Sequence, residues 1–147
     1  MIKITKVYLA GPILSRTTEE ANEWRQNSIS ELEYDNNDPD KPTHIKCLDP
    51  MRRQFSDEDM LGVNEIVQMD KDDVKDADII LVNYNVARQE TTLVGTSMEI
   101  HLAYTLGKYI VAFTDLPKNK WSPWMIYHTT RICKSQEEAH QYIKQHF

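Results

Sequence analysis

Two carboxylates, Asp70 and Glu99, fall where the hydrophobic pattern leaves little room for a solvated charge. With Asp70 at the origin of a helical wheel, Val63, Ile66, Val67, Val74 and Ala77 all lie within about 60° of it, at about 100° per residue. Asp72 and Asp73 are expected to project away from that stripe as ordinary solvated charges. Glu99 sits in TTLVGTSMEIHLAYTLGKYIVAF, between Leu106 and Ala103 on the wheel. That helix is apolar almost all round, which predicts an internal position. Burying a carboxylate is costly unless it is paired or protonated. Structural explanations exist for both acids. An ion pair with Arg52 or Arg53 would account for Asp70, and Thr96-Ser97-Met98-Glu99 has the T-x-x-E spacing of a capping box. The chemical alternative is that two carboxylates converge on one cleft, where they can act as nucleophile and general acid/base on a sugar.

The elements that must position this pair follow from periodicity and turn signals. A short apolar run from Val7 to Ala10, stopped by Gly11-Pro12, predicts a buried first strand. Thr17 and Glu20 have capping-box spacing before a helix whose face includes Ala21, Trp24, Ile29 and Leu32. YDNNDPDKPT reads as a polar loop, HIKCLDP as a second strand, and RRQFSDEDMLG as an irregular connection with a helical turn. A helix over Val63 to Lys75 is followed by a strand in ADIILVNY, a helix from Thr96 to Leu106 closed by Gly107, and a strand in YIVAFT. A loop with Pro123 between Trp121 and Trp124, a short strand RIC and a final helix complete the chain, with Ser135 and Glu138 again at capping-box spacing. Strands alternating with helices predict one α/β domain over 1–147, built on a mainly parallel sheet of about five strands covered on both faces. Ligands in such folds bind at the carboxyl ends of the strands.

Composition narrows the chemistry. The 147 residues carry 17 Lys and Arg against 23 Asp and Glu, a net charge of -6, so a nucleic-acid backbone or anionic membrane is not the expected partner. No apolar stretch approaches the roughly 20 residues that span a bilayer. MIKITKVYLAGP reads as a strand rather than a secretion signal, which predicts a cytosolic protein. Cys47 and Cys133 lack CxxC spacing and are expected as inert buried thiols. The five histidines (His44, His101, His128, His140, His146) show no metal-ligand spacing. Phosphate-binding glycine loops and H-E-x-x-H are missing too. A phosphoacceptor receiver would need an acidic pair ending the first strand, where this chain has Ala10-Gly11-Pro12.

The blocks VYLAGP, LDP, MDKDDVKDADIILVN and GTSMEIHLAYTLGKYIVAF together resemble the nucleoside 2-deoxyribosyltransferase family, which includes nucleoside and nucleotide N-glycosidases. The resemblance implies a flavodoxin-like, Rossmann-like sheet and a homo-oligomer whose subunits complete one another's sites. It also implies cleavage of an N-glycosidic bond through a covalent sugar-enzyme intermediate. By position, Glu99 would be the nucleophile, Asp70 the acid assisting proton traffic, and Tyr8 the hydrogen-bond partner of the nucleophile. Gly11, Pro12, Gly95, Ser97, Met98, Arg53 and Leu93 would border the substrate, the glycines allowing close backbone approach. Six residues before the nucleophile, transferases of the family often carry a base-contacting aspartate and nucleotide-cleaving relatives a phosphate-contacting serine. Here that residue is Leu93, with Thr91 and Thr92 nearby.

The expected reaction moves a 2-deoxyribosyl group between nucleobases, with a nucleoside or nucleotide and a free base as partners. No metal or organic cofactor is expected, since nucleophile and acid are both protein carboxylates. Hydrolysis of a deoxynucleoside 5'-monophosphate is the alternative within the family, with Arg16, Arg53 and Arg88 as candidate phosphate ligands. A non-catalytic nucleotide-binding module is the alternative of another class. Trp121 and Trp124 are candidates for stacking on a base or for packing between subunits.

Overall fold

Runs such as Val7-Tyr8-Leu9-Ala10 and Ile79-Ile80-Leu81-Val82 are apolar at every position, the pattern of strands buried on both faces. The computed structural model describes residues 3–12, 18–35, 37–53, 62–85 and 94–147. In chain order the elements are β1 (Thr5–Ala10), α1 (Thr18–Glu33), β2 (Tyr34–Asp35), β3 (Asp38–Pro42), β4 (Ile45–Leu48), α2 (Val63–Asp76) and β5 (Ile79–Asn83). They continue with α3 (Val94–Thr105), β6 (Tyr109–Phe113), α4 (Pro123–His128), β7 (Arg131–Cys133) and α5 (Gln136–His146).

Five strands form one parallel sheet in the order β4-β1-β5-β6-β7. Counting only its own strands, that is the 2-1-3-4-5 order of flavodoxin-like folds, with the switch in strand order at β1 and β5. Alternation along β1 divides the core. Val7 and Leu9 face Trp24 and Leu32 of α1 and Ala139 and Ile143 of α5. Tyr8 and Ala10 face Val74 of α2, Ile100 and Ala103 of α3 and Met125 of α4. The period of two therefore aims Tyr8 at the layer that carries both acids.

Three local readings need correction. The polar loop after α1 contains the antiparallel pair β2-β3. Its turn chemistry is as expected, with the Asp35 and Asp38 carboxylates accepting from the Asn37 and Asp40 amides at 2.9 and 3.2 Å, but the flanking residues still pair. The Pro- and Trp-containing loop contains α4, whose start was present in the sequence: Ser122 caps it by accepting from the Met125 amide at 3.0 Å, and Pro123 occupies the first turn. Finally, α3 is not internal. Thr96, Ile100 and Ala103 are buried, while Val94, Met98, Tyr104 and nearby Leu106 are exposed. Gly107 closes it as expected, at φ +72°. Cys47 and Cys133 are free and buried.

Candidate active site

Tyr8, on the central strand, is 1% exposed and donates its hydroxyl to Oε2 of Glu99. The two residues are 91 positions apart, and the parallel sheet brings them together. Glu99 is the sixth residue of α3, in its second turn. The capping-box reading of Thr96 to Glu99 therefore fails, because the helix already runs through Thr96, and the pull of the helix N-terminus on Glu99 is weaker than in a first turn. What governs Glu99 is its surroundings. Burial pushes the carboxyl up to about 7, the Tyr8 hydrogen bond pulls it back, and Asp70 adds to the rise. Near neutral pH both protonation states are populated. Burial and the adjacent Glu99 drive the Tyr8 hydroxyl far above its ordinary range, so it remains a protonated donor.

Asp70 lies half-buried on α2. Arg53 Nη1 donates to its Oδ1 at 2.8 Å, which is the ion pair that a structural role predicts. Burial nonetheless holds its carboxyl above the usual aspartate range, with Arg53 opposing. Asp73 is not the solvated charge expected of it. It is 8% exposed and accepts from Arg52 Nη2 and Arg53 Nη2, each at 2.8 Å. At about 100° per residue Asp73 lies only about 60° from Asp70, on the edge of the same stripe. The guanidinium of Arg53 thus bridges Asp70 and Asp73, and a phosphate would have to compete with both.

The remaining candidates divide. Gly11 is buried, and a Cβ there would meet Trp24 Cζ2 at 2.8 Å, so packing against the indole requires glycine. Pro12 is buried beside it. Gly95 has open space around a would-be Cβ, so no atom among the described residues demands it. Ser97 and Met98 are exposed. Leu93, Thr91, Thr92, Arg16 and Arg88 lie outside the described residues. Ser97 and Ile100 line a cavity of about 490 Å³ between α3 and α4, with Tyr84, His101 and Trp124 among its other walls. Glu99 and Asp70 do not line it. They lie on the side of α3 that meets β1 and α2. Trp124 is 77% exposed and stacks on His128, whereas Trp121 is anchored by donating Nε1 to the Leu116 carbonyl at 2.9 Å. Among the described residues no cluster of three or more His, Cys, Asp or Glu is placed to hold a metal ion. Nor is any helix among them long and apolar enough to cross a membrane.

One charged residue near the site escaped the sequence reading. Arg25 is completely enclosed on α1 and donates to the Gly11 carbonyl at 2.9 Å. Its signal was the one that exposed Asp70, a charge within the apolar face containing Ala21, Trp24 and Leu32.

Comparison with known proteins agrees with this architecture. A conserved protein from Enterococcus faecalis V583 superposes with a TM-score of 0.73 at 17% identity, over 98% of this chain and 99% of that one. A 2-deoxyribosyltransferase from Bacillus psychrosaccharolyticus gives 0.69 at 16% identity, over 94% and 92%. A CMP N-glycosidase from Clostridium botulinum gives 0.59 at 16%, over 97% and 100%. At such identities these likenesses speak for the fold alone. No curated protein matches the chain. The family model described as nucleoside 2-deoxyribosyltransferase matches residues 7–141, a span that includes Tyr8, Asp70 and Glu99, and the chain belongs to that family.

Proposed function

We propose that this protein is a nucleoside 2-deoxyribosyltransferase working by double displacement through Glu99. The observation that carries the reading is the Tyr8-Glu99 hydrogen bond, which holds a carboxylate poised near neutrality beside Asp70, inside the segment matched by the family. In the first half-reaction an ionised Glu99 oxygen attacks the anomeric carbon. The bond from that carbon to the base nitrogen breaks, its electron pair stays on the base, and Asp70, held above its usual range, supplies a proton. In the second half-reaction a nitrogen of the acceptor base attacks the anomeric carbon and gives its proton to the Asp70 carboxylate, which restores the acid. The ester bond breaks and its electrons return to Glu99, so the configuration is retained overall.

Near the transition state the sugar carries positive charge, which the Glu99 anion stabilises in a partly dewatered setting. Tyr8 keeps that anion oriented and does not compete for its proton. The exposed apolar side chains of α3 and α4, including Met98, Trp124, Ile126 and Tyr127, support a homo-oligomer in which neighbouring copies border the site.

Hydrolysis of a deoxynucleoside 5'-monophosphate is the second reading, and Leu93, neither the aspartate that transferases of the family often carry nor the serine of its nucleotide-cleaving relatives, decides for neither. The engaged fork of Arg53 weighs against it. Incubating deoxyadenosine or thymidine with a second free base is expected to yield the exchanged nucleoside by chromatography. Absence of exchange would contradict transfer. Base release from the monophosphate alone, without an acceptor, would assign the hydrolase.

A further inference from the structure

Among the described residues Arg25 is one of the largest side chains that are fully buried. Its guanidinium stays charged and presents five N–H groups that need partners. Nε donates to the Leu9 carbonyl at 3.4 Å, Nη1 to the Ala21 carbonyl at 2.5 Å and Nη2 to the Gly11 carbonyl at 2.9 Å. The counter-charge is Asp49, 6% exposed, whose Oδ1 lies 3.9 Å from Nε. The ring of Trp24 covers the guanidinium at 4.7 Å.

These contacts run toward both acids. The Leu9 carbonyl belongs to the carboxyl end of β1, immediately after Tyr8, the donor to Glu99, and the Gly11 carbonyl lies just beyond that end. Asp49 caps the 3-10 turn Pro50–Arg52, accepting from the Met51 amide at 2.9 Å. That turn leads into Arg53, which holds Asp70. One enclosed cation therefore touches the strand behind the Glu99 hydrogen bond and the turn behind the Asp70 ion pair.

We infer that Arg25 is a positioning residue for the acid pair: it locks the end of β1, behind the Tyr8-Glu99 hydrogen bond, to the Asp49 turn that sets Arg53 on Asp70. The catalytic consequence rests on the proposed role of Glu99. The charge held by this lock also favours the ionised form of Glu99, and that effect can be read in the resting protein. Glu99 is raised chiefly by burial. Among the groups facing it, Tyr8 of β1 and Arg25 of α1 favour the anion, while Asp70 and Asp73 of α2 oppose it. Lysine at position 25 would keep the charge but not the fork that reaches three carbonyls.

The test follows the Glu99 carboxyl carbon by NMR against pH, in protein labelled with 13C-glutamate and free of substrate. Arg25→Met is expected to move the Glu99 titration upward by about half a unit or more, because a buried positive charge is gone. Arg25→Lys should stay near the wild type. Asp49→Asn keeps an oxygen to cap Met51 and removes only the charge facing Arg25, so it should move Glu99 downward by a smaller amount. If Arg25→Met does not fold, as judged by circular dichroism, the Asp49 variant carries the test. A Glu99 titration that in folded Arg25→Met is unmoved or shifted downward, or, where that variant does not fold, is unmoved or shifted upward in Asp49→Asn, overturns the inference. Because no turnover is measured, a failed transferase assay leaves this result standing.

Discussion

Two titratable groups on opposite faces of the sheet, half-buried Glu99 and buried His140, are both held toward their neutral forms, yet only Glu99 is proposed to do chemistry. His140 lies on the α1-α5 side and is 4% exposed. Its Nε2 is 2.8 Å from Ser28 Oγ, which itself accepts from Gln136 at 3.0 Å, so the serine proton can be donated to a neutral imidazole. Burial, with Lys144 adding to it, holds His140 down at about 4. The imidazole is thus a sealed tie between α1 and α5 with no charge to offer near neutrality. Glu99, by contrast, is half-buried and held at about 7, beside a second carboxyl. Burial alone does not mark a site. A site needs burial strong enough to tune a group, together with an opening and a second group that can share the proton.

The largest expected break in this comparison is Glu99→Gln. An amide cannot readily form the sugar ester or balance an oxocarbenium charge, so turnover should be almost abolished while the fold persists. Stability should respond too. The folded carboxyl sits at about 7 against an ordinary 4.5, so its favourable contribution is complete below about 4.5 and is lost as pH rises through 7. In urea melts above pH 8 the glutamine variant should therefore equal or exceed the wild type, by at most about 3 kcal/mol. Full activity in this variant would contradict the nucleophile role.

Asp70→Asn is next. Loss of the titratable proton should lower turnover by roughly 10²- to 10⁴-fold if Asp70 is the acid/base group. Unchanged turnover with reduced stability would leave only its ion pair with Arg53. Tyr8→Phe should have a smaller and diagnostic effect. Without the hydrogen bond that favours the anion, the acid limb of the kcat/KM profile should move upward, with activity recovering at higher pH. A profile that falls in amplitude without moving would argue against that role.

These predictions depend on residues with very different visibility in the sequence. Asp70 and Glu99 stood out because a charge inside a hydrophobic stripe breaks a local pattern. Arg25 breaks the same pattern with the opposite sign, but an arginine on an apolar face is less conspicuous, because its long stem can pack there while its head reaches solvent. Asp73 was misjudged for a different reason: a position about 60° from the stripe's centre can be solvated or buried, and two arginines from the 3-10 turn decide it. Strand alternation was enough to predict the parallel sheet. The outward face of α3 was not foreseeable from periodicity, because a helix apolar all round can bury itself in its own chain or await another one. The Tyr8-Glu99 contact depends on strand order, which no local window contains.

The smallest effect concerns the opposite face. His140 is held at about 4 against an ordinary 6.5, so its contribution is complete above about 6.5 and is lost as pH falls through 4. Wild-type stability should decline across that window by at most about 3 kcal/mol from this group. Thermal melts of His140→Gln should show a shallower decline, with turnover near neutrality little changed. A strong loss of turnover in a folded His140 variant would blur the distinction between the two faces.

The most direct measurement of the central claim is mass spectrometry of the wild-type protein after incubation with a slow 2-fluoro-2-deoxy nucleoside. The fluorine slows both half-reactions by destabilising the cationic sugar, and a good leaving base lets the first proceed, so the ester should accumulate. The account predicts a single fluorosugar adduct on the peptide containing Glu99, absent in Glu99→Gln and released when a free nucleobase is added. An adduct on any other residue, or base release from the wild type under the same conditions with no adduct at any time, would contradict it.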